Sequence, residues 1–270
     1  MFDLIYDVDG RLLPRLSIQL GRGEGVYTQY GSPLFKDSGI KVRNSTDNLI
    51  IEKIGKKDDI PVTTEYVSYD ESCDIVFTPD VPGDIIVVRA EPSKDVFILK
   101  KSFLCAETSV KMEQVLSKTF DSSLFGRDFF TIQRTNGTGV VFLNTAGDLY
   151  IKELNIGDTI DVSPGNLVAF ETTIKYSIEL QPEIKNNLFG KEGMYFIQLE
   201  GPGKVLMQTQ NYIDFVENIG ATLSSVLKGA KKSNSEASEI EGFARDLGEY
   251  SARIATTKLM DIGVSAITKR

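Results

Sequence analysis

The sequence repeats itself. Lys101-Ser102-Phe103-Leu104-Cys105-Ala106-Glu107-Thr108-Ser109-Val110-Lys111 lies over Gly165-Asn166-Leu167-Val168-Ala169-Phe170-Glu171-Thr172-Thr173-Ile174-Lys175 at a constant offset of 64 residues. Leu124-Phe125-Gly126 then falls on Leu188-Phe189-Gly190, and Gly137-Thr138-Gly139 on Gly201-Pro202-Gly203. One residue of slip separates these landmarks, at Ile132-Gln133 against Ile197-Gln198. Glycines and apolar residues held in phase over such a period indicate a duplicated structural unit. A more diverged copy lies upstream: Gly31-Ser32-Pro33-Leu34-Phe35-Lys36-Asp37-Ser38-Gly39-Ile40-Lys41 matches 101–111 at an offset of 70, with Val26-Tyr27-Thr28 on Val96-Phe97-Ile98. The three repeats run over about 14–95, 96–153 and 154–211.

Within these repeats the apolar segments are four to eight residues long and bounded by Gly, Pro, Asn and Asp. Leu16, Ile18 and Leu20 alternate with polar residues, the period-2 signature of a half-buried strand. Ile75-Val76-Phe77 and Ile85-Ile86-Val87-Val88 flank a Pro79–Pro82–Gly83 turn. Pro164, Pro182 and Pro202 also fall between strands, where a residue without an N–H is tolerated. Even spacing of this kind predicts a mainly β fold, a sandwich, roll or barrel. The stretch 44–74 is its most polar part and reads as a diverged insertion.

The pattern changes after Asn211. Tyr212, Phe215, Val216, Ile219, Leu223, Val226 and Leu227 recur at helical spacing and form one apolar stripe. Gly229 ends that helix, with Lys228, Lys231 and Lys232 beside its negative end. Ser238-Glu239-Ile240-Glu241 fits a capping box for a second helix carrying Phe243 and Leu247. The expected organisation is a β domain over 1–211 and a C-terminal helical hairpin over 212–270. Phe215, Ile219, Leu223, Val226, Phe243 and Leu247 are the candidate interaction residues, because left bare they would form the large apolar patch that proteins in water avoid.

The net charge is −8, and 212–270 carries eight basic and eight acidic residues, so the excess belongs to the β part. An acidic body argues against a nucleic-acid groove, and a neutral tail is poorly suited to an anionic membrane surface. No run of about 18 apolar residues exists, so no transmembrane segment is expected. Met1–Ile5 lacks the basic and apolar regions of a secretory signal. The expected location is cytoplasmic, or mitochondrial in a eukaryotic host, although no clear transit peptide is present. Asn44-Ser45-Thr46 and Asn136-Gly137-Thr138 are then chance matches to the glycosylation pattern.

There is no histidine. This excludes Ser-His-Asp and Cys-His catalysis and the His-Glu-x-x-His zinc site. The two cysteines are too few for a disulfide framework or a cysteine zinc site. Cys105 aligns with Ala169 and Phe35, which makes it a core residue; Cys73, among Asp70, Glu71 and Asp74, is expected at the surface. Those acids read as a solvated turn, since they lack the spacing of a calcium loop. Gly21–Gly25 and Gly201–Lys204 read as turns rather than phosphate cradles. Leu4–Leu13 imitates the nucleophile motif of haloacid-dehalogenase-type phosphatases, with Asp7 as nucleophile and Asp9 as acid. Arg11 stands where that motif has threonine, and the strands do not alternate with helices, so a β-turn is the expected reading. Glu107, Glu171 and Asp37 recur with the repeat and fit a turn or inter-repeat contact better than catalysis. No catalytic, cofactor-binding or metal site is expected, and no cofactor.

Lys101–Glu107, Asn166–Glu171, Leu188–Gly193, Gly201–Asn211 and the Phe77–Ile85 turn together resemble the altered-inheritance-of-mitochondria protein twenty-four family, over about 14–211. Gly126-Arg127-Asp128 departs from the family's Gly-Gly-Glu-Gly segment, and the tail after Tyr212 is longer than the family pattern. The resemblance implies three repeats, each similar to the double-stranded β-roll subunit of the tryptophan-RNA-binding attenuation protein. It also implies a homo-oligomer, with a trimer favoured, and no catalytic residue. The expected function is a non-enzymatic scaffold or interaction protein that associates with itself through its body and C-terminal helices, or docks another protein through the helices. A small-ligand- or RNA-binding ring is the alternative; a phosphatase using Asp7 and Asp9 is a remote one.

Overall fold

The computed structural model describes residues 4–10, 13–29, 31–50, 63–92, 94–115, 131–181 and 194–211. The mainly β expectation holds. The strands are β1 (Ile5–Asp9), β2 (Arg15–Leu20), β3 (Gly25–Thr28), β4 (Phe35–Lys36), β5 (Ile40–Ser45), β6 (Leu49–Ile50) and β7 (Thr63–Ser68). There follow β8 (Cys73–Phe77), β9 (Ile85–Ala90), β10 (Val96–Leu99), β11 (Phe103–Glu107), β12 (Val110–Val115), β13 (Ile132–Gly137) and β14 (Gly139–Asn144). The last are β15 (Leu149–Leu154), β16 (Thr159–Val162), β17 (Leu167–Glu171), β18 (Lys175–Gln181), β19 (Met194–Glu200) and β20 (Gly203–Gln208). The only helical segments among the described residues are two single 3₁₀ turns, Lys100–Ser102 and Pro164–Asn166. The C-terminal helices expected over 212–270, with Phe215, Ile219, Leu223, Val226, Phe243 and Leu247, lie outside the described residues, as do Leu124–Gly126 and Leu188–Gly190.

Four sheets form, in the orders β1-β2-β8-β4, β5-β7-β3-β11-β14-β9, β15-β20-β17-β10-β13-β12-β6 and β16-β19-β18. Among the described residues, pairing between strands is antiparallel except for β6 with β12. The sheets stack in that order around three cores. In the first, Leu16, Ile18 and Phe77 of the four-stranded sheet meet Val26, Cys105, Val140 and Phe142 of the six-stranded sheet. In the second, Phe103, Ala106, Val141 and Leu143 from the other face of the six-stranded sheet meet Ile98, Met112 and Val168. In the third, Leu99, Phe170 and Val205 of the seven-stranded sheet meet Val162, Ile197 and Leu199.

This stacking explains the two hydrophobic patterns. Successive side chains of a strand point to opposite faces. An outer strand such as β2 therefore alternates, with Leu16, Ile18 and Leu20 buried. A strand covered on both faces reads as an apolar run. In β14, Val140 and Phe142 enter the first core while Val141 and Leu143 enter the second. Each such side chain contributes about 1.5–3 kcal/mol of burial.

The same alternation corrects the placement of Cys73. It is buried, only 3% exposed, opposite Leu20 on β2. Asp74 points outward while Cys73, Ile75 and Phe77 point in, so the acidic neighbours do not mark an exposed thiol. Cys105 is buried as expected, and burial pushes its thiol well above the ordinary range. Both cysteines are free.

Candidate functional site

The three repeated acids end up in equivalent roles. Glu107 accepts a hydrogen bond from the Val140 N–H, Glu171 accepts one from the Lys204 N–H at 3.0 Å, and Asp37 accepts one from the Asp74 N–H at 2.8 Å. Each carboxylate ties the end of one strand to the start of another. The two glutamates also explain two glycines. A Cβ on Gly139 would stand 2.7 Å from Glu107 Oε2, and one on Gly203 would stand 3.1 Å from Glu171 Oε2, both with positive φ.

A second construction involves none of the residues expected from the sequence to carry a site. The Asp84 N–H donates to Thr145 Oγ1 at 2.8 Å, and the Thr145 N–H donates to the Asp84 carbonyl at 3.0 Å. Asp84 Oδ2 accepts the Leu149 N–H at 2.9 Å. Sixty-four residues on, the Asp148 N–H donates to Thr209 Oγ1 at 2.9 Å and the Thr209 N–H to the Asp148 carbonyl at 3.0 Å. The spacing of Asp84 to Asp148 and Thr145 to Thr209 is the signal that could have found it.

A third group is a buried polar cluster at the end of β7. Asn48 donates through Nδ2 to Glu65 Oε1 at 2.6 Å and to Thr63 Oγ1 at 3.1 Å, while Thr63 Oγ1 donates to the Ser45 carbonyl at 2.9 Å. Arg43 Nε donates to Glu65 Oε2. Burial pushes the Glu65 carboxyl up, but the hydrogen bonds from Arg43, Ser45 and Asn48 outweigh it and hold the group below the ordinary carboxylate range. A carboxyl with a lowered native pKa stabilises the fold above its unfolded pKa, and that contribution disappears as pH falls through the native value. Glu65→Gln should therefore cost about 1–3 kcal/mol at neutral pH and make stability fall less steeply below the ordinary value of 4.5. Urea unfolding of both proteins across that range tests this; parallel curves would show that Glu65 carries no such linkage.

The described residues of the enzyme-like motifs lie on paired strands and in turns. β1 and β2 pair antiparallel, and the motif's second acid is held by a salt bridge, Arg15 reaching Asp9 at 2.6 and 2.7 Å. Gly157–Asp161 imitates the downstream acidic motif of the same phosphatases; there Asp158 accepts from both the backbone and the side-chain nitrogen of Asn155. Gly21–Gly25 is the turn from β2 to β3, tied by Glu24 Oε2 accepting the Gly21 N–H at 2.8 Å. Gly201–Gly203 is the turn from β19 to β20. Asp70, Glu71 and Asp74 do not converge; among the described residues no three Cys, Asp or Glu group to hold a metal ion. The Tyr27 hydroxyl is buried without a hydrogen-bond partner, and burial pushes its ionisation far up. Among the described residues no helix is long and apolar enough to cross a membrane.

What this geometry defines is a layered antiparallel β protein whose polar groups mostly fasten turns. The family described as mitochondrial biogenesis AIM24 matches residues 6–210, and the chain belongs to it. Among solved structures, the crystal structure of protein SPYM3_0169 from Streptococcus pyogenes is similar in fold, with a TM-score of 0.64 at 19% identity over 83% of this chain and 99% of that one. No curated protein matches the sequence.

Proposed function

We propose that this chain is a non-enzymatic scaffold that associates with itself through its β body, with 212–270 as a second contact for another copy or another protein. The body is read as three copies of one six-strand unit. The observation that carries this is a pairing scheme that occurs three times. β2, β9 and β15 pair with β8, β14 and β20, which pair on their other side with β4, β11 and β17. β3, β10 and β16 pair with β7, β13 and β19, which pair in turn with β5, β12 and β18. The units thus run from β2, β9 and β15, upstream of the boundaries at 96 and 154 that the sequence suggests. Repeat units of this kind each leave surface for a neighbour to cover.

The family's description, mitochondrial biogenesis, fits a structural role. Location in the cytoplasm, or in mitochondria of a eukaryotic host, belongs to the same proposal, as does a trimeric assembly. Light scattering on the full-length chain should give a multiple of 29.9 kDa, and a chain ending at Asn211 should give a smaller assembly. A monomer at every concentration would overturn the self-association. Turnover of phosphate esters that disappears in Asp7→Asn would replace the scaffold reading with an enzyme.

A further inference from the structure

The first strand of each unit takes the same place in its sheet, beside β8, β14 or β20. In the first unit a strand from outside the unit covers its other side. β1 pairs antiparallel with β2, from Ile5 opposite Gln19 to Asp9 opposite Arg15. β9 matches β2 at an offset of 70, and β15 matches β9 at an offset of 64. Each of these two ends its sheet, with one neighbour among the described residues.

Burial and side-chain chemistry separate the two open edges. With β1 beside it, β2 buries Leu16 and Ile18 fully. The matching Ile86 and Val88 of β9 are only half-buried, and so are Ile85 and Val87. Ile85 and Val87 pack against the first core, and Ile86 and Val88 against the second. Both faces of β9 are therefore covered, and the bare part is its edge. β15 carries Lys152 in the place of Val88, followed by Glu153, and charges of this kind discourage strand addition. Ile85–Val88 carries no charge at all.

The backbone of this edge is also set for pairing. The Thr145 N–H donates to the Asp84 carbonyl at 3.0 Å. The register runs from there without a shift to Gly139 opposite Ala90. Bonding to one neighbour alternates along an antiparallel strand. Asp84, Ile86 and Val88 thus turn their N–H and C=O groups toward β14, while Ile85 and Val87 turn theirs toward the open edge. We propose that β9 takes up an extended segment of another protein, paired antiparallel as β1 is on β2. The covered faces define its chemistry. β1 lies in an outer sheet and alternates, with Tyr6 and Val8 against the first core and Asp7 exposed. β9 lies in an inner sheet, so the segment it accepts is uncharged and apolar on both faces over the four positions facing Ile85–Val88. Backbone pairing supplies affinity and the apolar faces supply selectivity. This inference does not rest on self-association, and a monomeric chain would leave it intact.

Peptide binding and hydrogen exchange on the full-length protein test it. The probe is a fluorescent synthetic peptide of four alternating isoleucine and valine residues between lysines. Its anisotropy should rise saturably with protein. The Ile85 and Val87 amides should exchange fast in the protein alone and slowly with the peptide bound. A peptide N-methylated at all four apolar residues keeps the apolar surface and the charge but loses the N–H groups that strand pairing uses. It should bind at least about tenfold more weakly. Val88→Lys, which copies Lys152 of β15, should weaken binding of the unmethylated peptide to a similar extent. If that variant fails to fold, the methylated peptide and the exchange rates still decide. No binding, equal binding of the two peptides, or unchanged exchange at Ile85 and Val87 overturns the proposal. So does slow exchange of these two amides in the protein alone, because the edge is then covered by the chain itself or by another copy.

Discussion

Gly83→Ala is expected to destabilise this protein by at least about 3 kcal/mol, the upper range for forcing extra atoms into a packed site. Gly83 lies in the turn between β8 and β9, bridged to Gly147. A Cβ at this position would stand 2.0 Å from the Thr145 carbonyl oxygen, 2.7 Å from its carbon and 2.9 Å from the Gly147 carbonyl oxygen. These are backbone atoms, and they cannot swing aside as a side chain can. The neighbouring bonds hold them: the Gly147 N–H donates to the Pro82 carbonyl at 2.8 Å, and Asp84 and Thr145 bond each other in both directions. Relief of the clash therefore requires opening that set of bonds. For a chain of this size the melting temperature should drop by roughly 6–12 °C, read by thermal unfolding. A drop below about 2 °C would mean that the turn shifts freely, and that the bonds around Thr145 contribute little.

Phe170→Ala should cost about 3–5 kcal/mol. Phe170 is fully buried in the third core, on β17. Its ring centroid lies 5.1 Å from that of Phe97 and 5.5 Å from that of Tyr176, and Phe97 and Tyr176 are 5.7 Å apart. Three rings thus share one contact, and removing the central one leaves a cavity lined by strands fixed in two different sheets. Phe97 lies directly across from Phe170 on β10, so the loss also weakens the joint between β10 and β17. Phe170→Leu fills most of the volume and should recover more than half of the loss in urea unfolding. Equal losses for the two variants would show that ring contacts, rather than filled volume, set the stability here.

Much of the architecture was legible because strand periodicity and turn chemistry are local. Leu16, Ile18 and Leu20 alternate and form the outer strand β2; the apolar runs at 103–106 and 167–170 form strands covered on both faces. The recurrence of Glu107, Glu171 and Asp37 already pointed to a turn role, and all three accept a backbone N–H. Cys73 lies in the core although its acidic neighbours cluster beside it in sequence, because a strand sends adjacent residues to opposite faces.

The cluster of buried Asn48, Thr63 and Glu65 with the exposed Arg43 has no signature, since Asn48 and Glu65 meet only after residues separated by 17 positions come together. The same holds for Asp84 with Thr145, 61 positions apart. From the residues alone came the mainly β class, the 64-residue period and the exclusion of histidine chemistry, all properties of composition or of short windows. Which strands join, which face of each sheet is covered, and which strand ends remain open depend on contacts between distant segments. Pairing of backbone edges carries almost no sequence code of its own, because every residue except proline offers the same N–H and C=O. Only the folded arrangement could show that β4 and β16 end their sheets while their counterparts are paired.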